Sequence, residues 1–541
     1  MKTKHLAAIC IGLWSVGTAA ASSSPRMYDI RDFGAIPDGQ TLCTQAVQSA
    51  VDQCAQNGGG TVLFPAGMWL TGTVYLASHV TIQLENGCTV LGSREKAHYG
   101  PPRKLSGPEG ETFHNWAIFA GKGLEHVAIR GHGTIDGQGA NFKYKEGARP
   151  KNLYFESCRD LLIEGIRLRN AGSWMQHYRD CDRLRIRDIA VFNHVSYNND
   201  GLNIDSSRDV VISGCNVDSD DDAIVLKSLS AKPCENIVIS DCLVSSHCNS
   251  IKMGTESAGG FQNIAVTNCT ICSPRYSQVI YGRQRGLAGI ALEIVDGGTL
   301  DRVTVSNITI QGVTTPIFLR LGNRARSFGK DRPRSDVGKL RNVILSNIIA
   351  TDCSPIGCSI TGLPGHPVEN VALSNIRLSF DGGGTKADAS RAIPERPDGY
   401  PESNMFGTLP SYGFFCRHAK GLTLRDIHLQ TATPDYRHAL VLDDVEDAVI
   451  DALAAPFAKD SAPLLRLNDA VDVAICNCRP PEGTDVFLSL TGGRSKAVAL
   501  SNNDFAGVKT ICDRAADVPE SVLVLWSNHV STDGQRAPAR K

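Results

Sequence analysis

Four aspartates and a histidine hold the densest reactive chemistry in this sequence: Asp200 in Asn198-Asn199-Asp200-Gly201, the run Asp220-Asp221-Asp222, and His247. Hydrolysis of a glycosidic bond needs one protonated and one ionised carboxyl group. For inversion they stand roughly 6.5–9.5 Å apart, to admit a water. Like charges held close cannot all ionise, so one pKa must rise and that group becomes a proton donor. The same residues also fit an acidic turn, or a calcium site that stabilises the chain. Asp205, Lys227 and Lys252 fall five residues after Asp200, Asp222 and His247 and form a second set. These lysines suit either a sugar carboxylate or a ladder of solvated charges. Glu256, Arg283 and Arg285 are further candidates for a binding groove.

A repeat places these residues. The segments starting at Asp200, Asp222 and His247 (DGLNID, DAIVLK and HCNSIK) can be laid over one another. Near-copies of one phrase lie between them, RDVVISGCNV from Arg208 and ENIVISDCLV from Glu235. Short apolar runs that alternate with Gly, Asn, Asp and Ser turns at this period read as a coil of short parallel strands. Residues one repeat apart then sit about 4.8 Å from each other. Asp200, Asp222 and His247 are expected in one column, with Asp220 and Asp221 beside it, and Asp205, Lys227 and Lys252 in a second. Positions five apart lie on opposite faces of a straight strand, so both columns face one groove only if the chain bends near Gly201 and its equivalents.

The phrase recurs from Val80 onward, starting at Glu125, Arg159, Asp182, Arg208, Glu235, Gln262, Asp301, Arg341 and Glu369. The leucine-rich signature is missing and no helix separates the strands, so the expected fold is all-β: a single right-handed parallel β-helix over residues 80–505. Strand centres at Ile212, Ile239 and Val266 should stack inside it. Cys215, Cys242 and Cys269 occupy equivalent places and read as small buried residues. Residues 22–79 form an expected N-terminal cap. Within it Ala46, Val47, Ala50, Val51 and Cys54 have helical spacing, and Gly58-Gly59-Gly60 ends the helix. A capping helix would cover the exposed end of the coil. Residues 381–401, rich in Gly, Pro, Asp and Arg, read as a surface loop. Residues 506–541 read as a polar tail.

The motifs resemble glycoside hydrolase family 28, the polygalacturonase-like enzymes. Asn198-Asn199-Asp200-Gly201 is similar to the family's Asn-Thr-Asp-Gly, Asp221-Asp222 to its Asp-Asp, and His247 to the histidine of its Gly-His-Gly. The resemblance covers residues 28–380. It implies that Asp221 is the general acid, that Asp200 and Asp222 position and deprotonate the water, and that His247 tunes the acid. The family's Arg-Ile-Lys, which holds the sugar carboxylate, is absent near Leu287-Ala288-Gly289-Ile290-Ala291-Leu292. Lys252, with Lys227 or Arg283, is expected to take over that contact. Glu256 completes the expected binding set.

Lys2 and Lys4, an apolar run and Thr18-Ala19-Ala20-Ala21 form a secretory signal pattern over residues 1–21, so a secreted or periplasmic location is expected. The formal net charge is −1, and loss of that leader removes two more positive charges. This balance supports neither nucleic-acid nor anionic-membrane binding. Of the 18 cysteines, Cys10 lies in the leader, which leaves an odd number, and none has zinc-ligand spacing. The expected protein is a monomer without cofactor or metal that acts on a pectic polysaccharide or oligosaccharide. One alternative is a calcium-dependent polysaccharide lyase, with calcium at Asp220–Asp222 and Lys227 or Lys252 as base. The other is a non-catalytic carbohydrate-binding β-helix.

Overall fold

In a computed structural model, the structure describes residues 26–100, 104–105, 113–114, 116–144, 147, 149–327 and 336–530. The signal pattern at 1–21 and the end of the tail lie outside the described residues. Nearly every strand pairs in parallel with the strand one turn away, and 38 strands join into one coiled sheet. The pairing runs from Met27–Asp29 to Leu523–Trp526, so the stacking extends beyond both ends of residues 80–505. The chain is a parallel β-helix.

Each turn contributes to three sheets. Two of them alternate strictly. Arg208–Ser213 buries Val210 and Ile212, and its neighbour Cys234–Ser240 buries Ile237 and Ile239. Ile212, Ile239 and Val266 stack in register and are buried, as the repeat predicts. Cys215, Cys242 and Cys269 are buried along the same coil, and every cysteine among the described residues is a free thiol.

The third sheet carries Leu202–Asp205, Ile224–Ser228, Asn249–Ser257 and Ala288–Ile294 as successive rungs. It is buried on both faces. Its inner residues, such as Ile224, Leu226, Ile251 and Met253, join the core. Its outer residues, such as Lys227, Lys252 and Glu293, are polar and still covered. A polar outer face kept from water marks this sheet as the floor of a site.

An α-helix at Thr44–Gln56 buries Val47, Ala50, Val51 and Cys54 against the first strands. No helix among the described residues is long and apolar enough to cross a membrane.

Candidate active site

Asp200 and Asp222 occupy equivalent turns just before strands of the third sheet. The backbone N–H of Gly201 donates to the Asp222 carbonyl at 2.9 Å, which ties one turn to the next. The chain bends at Gly201 and at Ala223, as two groove-facing columns require. Gly201 is needed there because a Cβ would lie 2.4 Å from Val217 Cγ1 and 2.5 Å from the Ala223 carbonyl. Asp200 therefore reaches the outer face while Leu202 and Ile204 stay in the core.

The register differs from the expected one beyond Asp222. Ser219 pairs with Ser246 and Ile224 with Ile251, so His247 falls beside Asp220 and Asn249 beside Asp222. His247 Nδ1 lies 3.0 Å from Asp220 Oδ1, and Asn249 Nδ2 donates to Asp222 Oδ1 at 2.8 Å. The expected Asp200–Asp222–His247 column is thus Asp200–Asp222–Asn249. The second column is corrected too. Asp205 does pair with Lys227, but Lys252 pairs with Val225, two residues short of Lys227. The physical reason is where the extra residues enter. Ser219 to Ile224 and Ser246 to Ile251 are turns of equal length, so His247 takes the place of Asp220, and two added residues enter only between Met253 and Ser257, inside the strand.

Three aspartates converge, all nearly buried: Asp200 is 2%, Asp221 7% and Asp222 4% exposed. Asp222 Oδ2 is 3.2 Å from Lys252 Nζ. Asp200 Oδ2 is 3.5 Å from Lys227 Nζ. Asp221 Oδ1 accepts from the backbone of Asp222 at 2.9 Å. Burial, and then the charge of Asp222, push the Asp221 carboxyl up to about 6. Burial and Asp221 likewise raise Asp200. A carboxyl raised in this way keeps its proton to higher pH than an ordinary aspartate, which suits a general acid.

The lysines are internal counter-ions. Burial works against Lys227, but Glu256 at 3.4 Å and Asp200 hold it above its usual range. Burial also opposes Lys252, and Asp222 and Glu293 raise it. Glu256 is desolvated as well, yet Lys227 and Arg324 bring it down to about 2.

His247 sits one shell outside. Its Nε2 lies 3.1 Å from the Tyr276 carbonyl, and Asp220 accepts the backbone N–H groups of Ile280 and Tyr281. Asp220 and His247 therefore anchor residues 276–281 over the site. His194 joins this cluster, with ligand atoms of His194, Asp220 and His247 all within 4.8 Å of one another, a set that could hold a cation. Arg283 is exposed. Its backbone N–H donates to the His247 carbonyl at 2.8 Å, and its side chain lines a surface depression with Gln284, Arg285 and Ser354. The structure does not bring it to the three aspartates. Arg285 is engaged by Asp381.

The model of glycosyl hydrolases family 28 matches residues 54–396, more than half of the chain. The chain belongs to glycosyl hydrolases family 28. A probable polygalacturonase from Vitis vinifera is 33% identical over 228 residues, which is 39% of this chain and 46% of the relative. The chain spans about half the length, or less, of the curated relatives it matches first. Among solved structures, the exopolygalacturonase of Thermotoga maritima has a TM-score of 0.56 and 23% identity, covering 66% of this chain and 87% of that one. The family 28 exopolygalacturonase of Yersinia enterocolitica has a TM-score of 0.50 and 15% identity, covering 95% and 79%. These two show the shared fold.

Several residues of this family 28 site escaped the sequence reading. Trp174 lies on the N-terminal side, with Lys227 Nζ 4.7 Å and Lys151 Nζ 5.3 Å from its ring centroid. Tyr400 and Glu402 come from the segment read as a surface loop and its continuation. Tyr400 hydrogen-bonds Thr255 at 3.1 Å, its ring lies 5.8 Å from Lys252 Nζ, and Ser403 Oγ donates to the Leu287 carbonyl. Asn249 was legible in principle, since the phrases from Arg208 and Glu235 share the spacing that separates Asp222 from Asn249.

Proposed function

We propose that this family 28 chain is an exported hydrolase of galacturonic-acid-containing pectic polysaccharide or oligosaccharide that works with inversion. The observation that carries the reading is Asp221, a buried carboxyl pushed up to about 6 beside an Asp222 that is bridged to Lys252. Asp221 is the general acid, since it is the most exposed of the three aspartates and so the best placed to meet a leaving oxygen. Asp222 and Asp200 hold and deprotonate the attacking water. His247 acts through Asp220 and the overlying loop. Lys227, next to Trp174, binds the substrate.

Product analysis on homogalacturonan and rhamnogalacturonan fragments tests this. NMR of the first product should show an inverted anomeric centre. Retention means a covalent intermediate and a different pairing of carboxylates, whereas an unsaturated, ultraviolet-absorbing product means a lyase.

The acid must be protonated to act, so the rate should decline as pH rises through about 6. A pH–rate profile of kcat/KM checks this, and a rate that climbs steadily from pH 5 to 8 would contradict it.

A further inference from the structure

The turns that lead into the third sheet differ in length. Those at 220–223 and 247–248 are short and carry Asp221, Asp222 and His247. The turn before them, 194–201, is longer and carries Tyr197 ahead of Asp200. Tyr197 stacks on Tyr144, with ring centroids 4.8 Å apart and planes 29° apart. Tyr144 is 47% and Tyr197 41% exposed, while Asp200 and Asp221 lie nearly buried on the floor of the site. Two large rings left partly in water forgo burial, and an exposed aromatic surface beside reactive residues marks a contact surface for a ligand.

The pair is held rigid from behind. Asn199 is fully buried. Its Oδ1 accepts the backbone N–H groups of Val195 and Ser196 at 2.7 and 2.6 Å, and its Nδ2 donates to the carbonyls of Ala171 and Ser173 at 3.0 and 2.9 Å. Arg149 locks the same turn from the other side. It donates to the Tyr197 carbonyl, to Asn198 Oδ1 at 2.9 Å and to the Gly172 carbonyl at 3.2 Å. Its guanidinium also lies 5.2 Å from the centroid of the Tyr144 ring, so one cation fixes both tyrosines. Asp200 and Asp221 are near enough to Arg149 to favour its charge, which places the pair beside the cleft. A pyranose has an apolar C–H face that packs on an aromatic ring, and hydroxyl groups at its edge that stay with water. Rings already fixed lose little freedom when a sugar lands on them.

We infer that Tyr144 and Tyr197 form a stacking subsite for a sugar ring of the substrate chain, on the Asp200 side of the cleft and beyond the two sugars that flank the cleaved bond. This rests on the hydrolase reading above. The rings stand at the rim and the aspartates on the floor, so the sugar that stacks is a different one from the sugar that reacts. Arg149 and Asn199 are positioning residues, which act through the two rings.

The test uses the full chain with homogalacturonan and rhamnogalacturonan oligomers of graded length. In the wild type, kcat/KM should rise at least tenfold from the shortest oligomer cleaved to one long enough to reach the pair. The Tyr144→Ala/Tyr197→Ala variant should lose most of that rise, so that its deficit is at least fivefold larger on the long oligomers than on the shortest. Both positions are exposed, and circular dichroism checks that the variant folds. Tyr144→Phe/Tyr197→Phe keeps the rings and should keep the rise. Calorimetry on the Asp221→Asn protein, with and without the alanine substitutions, should show the same dependence on length in binding. A wild type with no rise, or a deficit that is absent or equal at every length, overturns the inference and leaves the hydrolase reading standing. Failure to cleave any oligomer, with binding that still gains with length through the two rings, overturns the hydrolase reading alone. Failure to bind either series overturns both.

Discussion

Asp221→Asn should lower kcat by at least about 10²–10⁴-fold, the usual contribution of general acid catalysis. The amide keeps the shape of the carboxyl and the hydrogen bond from the Asp222 backbone, but it carries no acidic proton. Folding should survive, and stability should rise. The Asp221 carboxyl sits at about 6 in the folded chain, above its ordinary value of 3.8. The folded state therefore holds this proton more tightly than the unfolded state. The stability linked to it is present below about pH 4 and lost as pH rises through about 6. Asn escapes that loss, so the variant should melt higher than wild type at pH 7. The gain is on the order of 1–3 kcal/mol, since one pKa unit is about 1.4 kcal/mol. Asp222→Asn and Asp200→Asn should fail in turnover to a similar degree. The Asp221/Asp222 double variant should be little worse than either single one, because groups acting as a unit are not additive. Full activity of Asp221→Asn on a confirmed substrate refutes the assignment.

The coil was legible because its signal is repeated. Each turn must bury one apolar triplet in the same place, so Ile212, Ile239 and Val266 announce their own stacking. The catalytic register was harder to read. Asp222 and His247 each lie five residues before a lysine, and that likeness suggested that they stack. Pairing between turns is set by backbone hydrogen bonds in the strands, and the strands place His247 on Asp220. The framework phrases keep the true register, whereas His247 holds the place of Asp220 and Lys252 that of Val225. The two added residues enter only between Met253 and Ser257, so a lysine stands at the same distance after His247 as after Asp222 without being its equivalent. The loop residues were illegible for another reason. Nothing in the composition of residues 381–401 records where they fold back, so Tyr400 and Glu402 could be read only as surface. Their contacts with Thr255 and Lys252 span more than a hundred residues of chain.

Lys252→Met is expected to destabilise the protein by about 3–5 kcal/mol, the usual penalty when one partner of a buried ion pair is removed. Lys252 is 1% exposed and lies between Asp222 and Glu293. Removing its charge leaves two nearly buried carboxylates without their counter-ion. Glu293 can respond by keeping a proton, because burial already raises its pKa. A protonated Asp222 would lack the charge that the proposed mechanism needs to activate the water, so turnover should fall together with stability. Adding Glu293→Gln to Lys252→Met should restore part of the stability and none of the turnover, which separates the two effects. Urea denaturation gives the first quantity and kcat the second. The affinity of the Lys252→Met protein for acidic oligosaccharides, measured where it remains folded, decides its role in binding. A direct carboxylate contact is worth about 1.5–3 kcal/mol, so its loss would weaken binding roughly tenfold to a hundredfold. The pairing of Lys252 inside the protein calls for a smaller change. A tenfold or larger loss of affinity with unchanged stability would instead make Lys252 the substrate's own counter-ion.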